Sequence, residues 1–158
     1  MGLDITAYKK LKMVENPQID EYGELVNWET EWTPGASMKW SEKHFSGRGN
    51  GVDPDAAYTY EDEFGFRAGS YSGYGLWRSQ LEQFKGDVAF QELIDFADNE
   101  GVIGPFVSKK LFEDFKKYEA EAAEYAKTLE DGQWFMKKYM DWKNAFEYAS
   151  DEGAVDFH

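Results

Sequence analysis

Residues 64–81 read FGFRAGSYSGYGLWRSQL, and the character of the chain changes within them. Four glycines, three serines, two tyrosines and two of the chain's three arginines fall in these eighteen positions. Upstream, prolines and glycines punctuate short aromatic segments; downstream, apolar residues recur at helical spacing. The stretch therefore reads as a strand ending near Phe66, a loop AGSYSGYG, and a helix under way by Leu76.

The helical half follows from spacing alone. Trp77, Leu81 and Phe84 share one helix face that should stop at Gly86. Phe90, Leu93, Ile94 and Ala97 repeat the pattern, with Gly101 as the expected C-terminal cap. Gly104-Pro105 opens the longest expected helix, whose apolar series runs Leu111, Phe115, Tyr118, Ala122, Tyr125, Leu129. After the turn Glu130–Gly132 a second series follows, Phe135, Tyr139, Trp142, Phe146, Ala149. Two amphipathic helices joined by so short a turn should pack as an antiparallel hairpin.

The N-terminal half offers strands instead. DITAYKKLKMV places Ile5 and Ala7, with Leu11 and Met13 beyond them, on related faces of an opening strand. Leu25–Trp28 reads either as a short strand or as an irregular packed segment, and the aromatic run from Tyr58 to Phe66 as a further strand. The expectation is a single α+β domain over residues 1–158: a small antiparallel sheet with long loops in 1–74, covered by about four helices from 75–158.

Composition bounds the function. The chain has 31 acids against 17 lysines and arginines, a formal net charge of −14. Residues 1–79 hold 13 acids and 8 bases, residues 80–158 hold 18 and 9, so the excess is −5 and then −9. Such a surface repels phosphate backbones, which argues against direct nucleic-acid binding. With no cysteine, disulfides, thiolate nucleophiles and Cys-based zinc sites are excluded. No apolar run approaches the ~20 residues that span a bilayer, and the expectation is a cytoplasmic protein without a membrane segment. No cofactor motif is present, and no cofactor is expected.

Three stretches carry candidate chemistry. In the first, Arg67 and Arg78 flank the expected loop and are the side chains suited to clamping an anion, Ser70 and Ser72 add hydroxyls, and Tyr71, Tyr74 and Trp77 offer rings for stacking. Neither a P-loop nor a GxGxxG pattern is present, and the competing reading makes these residues turn formers, core aromatics and partners for nearby acids. The second, KHFSGRGNGVDPDA (43–56), combines His44, Arg48, Asp53 and Asp55, but lacks EF-hand spacing and reads better as a surface loop. The third places Asp95 and Asp98 three apart near a helix end, where a pair of carboxylates is the weak candidate for holding a divalent ion. His158 ends the stretch GAVDFH, where alternating Val155 and Phe157 raise the prospect that the terminus docks.

The start MGLDITAY, the central FGFRAGSYSGYGLWRSQL, the segment ELIDFADNEGVIGPFVSKKL and the ending FEYASDEGAVDFH together resemble a family of small phage, prophage and bacterial proteins. That resemblance implies a phage or prophage setting and a single domain, and carries over no catalytic residues. The leading functional expectation is an accessory protein that binds a host or phage protein through an acidic, aromatic-rich surface, with a DNA-mimic inhibitor as its sharper form. The alternatives are a binder of a small anionic ligand at Arg67 and Arg78, or an enzyme acting on such a ligand.

Overall fold

The computed structural model describes residues 2–158. The expected α+β class holds: a four-stranded antiparallel sheet is packed against helices, with a second, two-stranded ribbon beside it. In chain order the elements are β1 (Leu3–Lys9), β2 (Lys12–Met13), α1 (Gly35–His44), β3 (Tyr58–Thr59), β4 (Asp62–Gly69) and α2 (Tyr71–Lys85). Then come α3 (Gln91–Ile94), β5 (Gly101–Ile103), α4 (Pro105–Lys117), α5 (Glu119–Ala126), α6 (Gly132–Ser150) and β6 (Ala154–Phe157). The main sheet has the order β4-β1-β6-β5, and β2 pairs with β3 in the ribbon.

Strand β1 forms because Leu3, Ile5 and Ala7 alternate with polar residues and bury one face. It stops earlier than the sequence implies, because Lys10 takes a positive φ of 53° and turns the chain, leaving Leu11 and Met13 outside the sheet. The tail segment docks in the most demanding way. Strand β6 lies between β1 and β5 with antiparallel registers Ala7↔Val155 and Ile103↔Val155. The sheet therefore takes β1 and β4 from one half of the sequence and β5 and β6 from the other. Gly153 permits the approach, since a Cβ there would collide with the carbonyl oxygen of Tyr8.

Helices α2, α4 and α6 cover the face that carries Leu3, Ile5, Val155 and Phe157. Trp142 on α6 is the hub of this core: its ring stacks on Trp77 (5.6 Å), lies 5.7 Å from Phe146 and 5.5 Å from Phe157, and meets the edge of Phe66 at 5.0 Å. The expected helical hairpin is α4 against α6, with Tyr139 donating a hydrogen bond to the Phe115 carbonyl at 2.8 Å. On the other face, Tyr8, Val102 and Ala154 pack with Trp32, Met38 and Tyr58 in a second, smaller core.

Several boundaries differ from expectation. Helix α1 was not expected; it has little apolar periodicity, fully burying only Met38 and Ser41, and it docks through Met38, half-buried Trp40 and the Ser41 hydroxyl, which accepts the Val102 N–H of β5 at 3.3 Å. The expected helix over 90–97 is a single turn, α3, and Gly101 is no cap: it opens β5 with φ 145°, where a Cβ would strike Ser41 and Phe96. The expected long helix from Pro105 breaks at Tyr118 (φ −104°, ψ 10°) into α4 and α5, so α6, with 19 residues, is the longest. Leu25–Trp28 is the irregular alternative, apart from an isolated bridge between Ile19 and Leu25.

Phe157 is fully enclosed and touches both Phe96 (4.8 Å) and Trp142. Phe157→Ala should lower unfolding stability by roughly 3–5 kcal/mol, read as an earlier urea midpoint. The same truncation at half-buried Phe64 should cost distinctly less.

Candidate functional site

The glycine-serine-tyrosine stretch is a tight strand-to-helix junction. Strand β4 runs to Gly69, whose φ of 124° needs glycine, and Ser70 caps α2 by accepting the Gly73 N–H at 3.1 Å. The helix starts at Tyr71, so Ser72, Gly73, Tyr74 and Gly75 belong to its first turns and no AGSYSGYG loop exists. The candidate side chains part company accordingly. Tyr74 and Trp77 are fully buried, and burial holds the Tyr74 hydroxyl well above its ordinary pKa. Arg78 lies 4.4 Å over the Tyr74 ring and donates to the carbonyls of Phe96 (2.6 Å) and Ile94 (3.1 Å), closing the turn after α3. Arg67 is exposed on β4 and pairs with Asp4 at 3.2 Å. Tyr71 is half exposed, and Ser70 and Ser72 face each other at 3.3 Å. The structure does not bring these seven residues around one cavity.

The other candidates are likewise dispersed. Asp53 accepts the Asp55 N–H in a local turn, Asp55 pairs with Lys39 at 2.6 Å, Arg48 bonds the Glu92 carbonyl, and His44 lies on the Trp40 ring at 4.9 Å. Asp95 and Asp98 are exposed and lie beyond the end of α3, so they do not share a helix face. Among the described residues, no group of three or more potential ligands is placed to hold a metal ion, and no helix is long and apolar enough to cross a membrane.

A different surface has the features of a site. Between Met13 and Met38 the chain carries six acids and no base. Asp20 accepts the N–H groups of Tyr22 and Glu24, both at 2.9 Å, while backbone bonds Asp20 N–H to Glu24 O (2.8 Å) and Val26 N–H to Gln18 O (2.9 Å) complete a short finger. Tyr22 at its tip is 80% exposed and Trp28 at its base 69%, while Ile19 and Val26 are about half exposed. Large apolar groups left in water within an acidic segment mark a contact surface more readily than scattered single ones do.

Behind the finger lies an open groove of about 750 Å³, lined among others by Ile19, Trp28, Trp32, Asp20, Glu31 and the Asp55–Lys39 pair. One oxygen of Glu31 is buried and has no donor among the described residues. Trp32 is the floor. Its backbone exchanges hydrogen bonds with Tyr58 (2.8 and 2.7 Å), its ring packs on Tyr8 at 4.9 Å, and its indole N–H donates to Asp156 at 3.1 Å. Burial pushes the Asp156 carboxyl up to about 7, against the lowering effect of the indole bond. Burial also holds the adjacent Tyr8 hydroxyl well above its ordinary value.

The sequence reading missed Ile19, Tyr22, Trp28, Glu31 and Asp156. The run of six acids without a base was a readable signal for the first four; Asp156 required knowing that β6 is a central strand. Fold and surface thus define an acidic α+β protein with an aromatic, carboxylate-lined groove. Comparison with known protein families, with curated protein sequences and with solved structures finds no match to this chain.

The Asp156 carboxyl gives a pH signature. Its folded value exceeds the ordinary 3.8, so the folded protein keeps a proton that the unfolded chain releases. Its contribution to stability is therefore complete below about pH 4, falls as pH rises to about 7, and levels off above. Asp156→Asn keeps an acceptor for Trp32 but cannot ionise. It should remove this slope and be more stable than the parent above neutrality by on the order of 2–4 kcal/mol, measured by denaturant titration across pH.

Proposed function

We propose that the protein is an interaction module that binds a basic partner segment through the finger at residues 18–28 and the groove behind it. The observation that carries this reading is the pairing, in one segment, of exposed Tyr22, Trp28 and Ile19 with six acids that form no ion pair among the described residues. Aromatic side chains supply large contact area at little entropic cost and dominate interface energetics. The carboxylates would steer a cationic partner to them and reject acidic ones. The donor-free Glu31 oxygen favours a lysine or arginine entering the groove, because an unmatched buried acceptor gains most from a charged donor. The resemblance to small phage and bacterial proteins supports a host or phage protein as the source of that segment.

Synthetic lysine- and arginine-rich peptides bearing leucine or tryptophan anchors provide the test, with chemical-shift mapping as the readout. Binding should perturb the amides of residues 18–33, weaken steeply with added salt, and be lost for an acidic peptide of equal hydrophobicity. Trp28→Ala should weaken it at least roughly tenfold, as removal of a central aromatic anchor does. Shifts confined to other surfaces, or affinity indifferent to salt and to Trp28, would refute the reading.

A further inference from the structure

Strand β4 is an edge of the main sheet, paired on one side only with β1. Its other side has no strand partner among the described residues, and two contacts show which residues present backbone groups there. The Arg67 carbonyl accepts from Lys138 Nζ at 2.6 Å, and the Glu63 N–H bonds the carboxylate of its neighbour Asp62 at 2.9 Å. Both groups therefore point away from β1. Because outward and inward groups alternate along a strand, Gly65 between them also directs its N–H and C=O outward, while Phe64 and Phe66 bond to β1.

Hydrogen bonding permits antiparallel self-pairing about more than one centre, and the side chains distinguish the registers. A two-fold axis at Gly65 sets Glu63 opposite Arg67 of a second copy, and Arg67 opposite Glu63, on the face away from α6. On the other face it sets Phe64 opposite Phe66. Each ionic pair places opposite charges directly across neighbouring strands, and each aromatic pair joins two half-buried rings. Asp62 falls opposite Ala68, so no like charges meet. Gly65, exposed and without a side chain, occupies the centre where the two backbones meet.

We propose that β4 is a homodimer contact: two copies join antiparallel through Asp62–Gly69, centred on Gly65, into one continuous eight-stranded sheet. The interface is isologous, the commonest form of closed protein symmetry. In the monomer, Lys138, the Asp62 carboxylate and the Arg67–Asp4 pair occupy the same groups, which blunts the edge against less complementary strands. Pairing exchanges those contacts for the second copy's N–H groups, carbonyls and Glu63. The proposal is independent of the groove and of what the groove binds.

Analytical ultracentrifugation over a concentration series tests it, with thermal melts to confirm folding. The wild type should show a reversible monomer–dimer equilibrium. Arg67→Glu or Glu63→Arg alone sets like charges opposite each other twice across the axis, and each should weaken the dimer by roughly tenfold or more. The charge-swapped double variant E63R/R67E should recover association. Gly65→Pro removes a donor that the chain's own sheet does not use, a substitution edge strands tolerate, and it should abolish the dimer while leaving the fold intact. A wild-type protein that stays monomeric at the highest soluble concentration overturns the proposal. So does a dimer insensitive to both single reversals, or a folded double variant that fails to recover.

Discussion

The insertion of Ala154–Phe157 between β1 and β5 is the constraint on which the rest of the structure depends. Without it the β1–β4 pair and the three-residue β5 are separate fragments, and no continuous surface exists for α2, α4 and α6 to cover. The inserted strand is short, yet it serves both faces. Val155 and Phe157 enter the large core under Trp142, while Ala154 and Asp156 face the smaller core around Tyr8 and Trp32. A two-sided strand of this kind cannot slip by one residue, because a slip would exchange Asp156 for Phe157 at every contact.

That strand also explains what was legible in advance. Long amphipathic elements announce themselves through periodicity, so the α4–α6 hairpin and the buried face of β1 were readable. Helix α1 was not, because its attachments, Met38, the Ser41 hydroxyl and half-buried Trp40, fall at no helical period that would mark an apolar stripe. Nor was β5, whose three residues carry no pattern of their own and become a strand only where β6 offers hydrogen bonds. The break at Tyr118 escaped because the apolar series continues through it: Tyr125 beyond the kink still reaches Phe84 at 5.1 Å and Phe135 at 5.5 Å.

The central arginine-rich stretch illustrates a different limit. Glycine and serine between a strand and a helix look like a ligand loop, but the same residues make a compact junction when the serine caps the helix. Ser70 does so, and Gly73 and Gly75 then lie inside the helix despite each costing about 1 kcal/mol relative to alanine. Local composition could not separate these outcomes; the destination of Arg78 could. Its guanidinium is committed to the Ile94 carbonyl at the end of α3 and to the Phe96 carbonyl just beyond it, which is a structural task.

The groove and the core meet at Trp32. A half-buried carboxyl that its surroundings push up to about 7, with a single indole donor, is a poor stabilising device, and a neutral residue of the same shape would serve the fold better. Trp32 joins the acidic segment to the sheet, and its N–H needs an acceptor on a face otherwise lined by Tyr8, Val102 and Ala154. Asp156 supplies that acceptor from the central strand, so the segment carrying Tyr22 and Trp28 is anchored to the part of the molecule hardest to deform. Rigid backing lowers the entropic cost of presenting exposed aromatic side chains to a partner. The energetic penalty in the core and the apolar surface left in water are thus two ends of one arrangement, built across a single tryptophan.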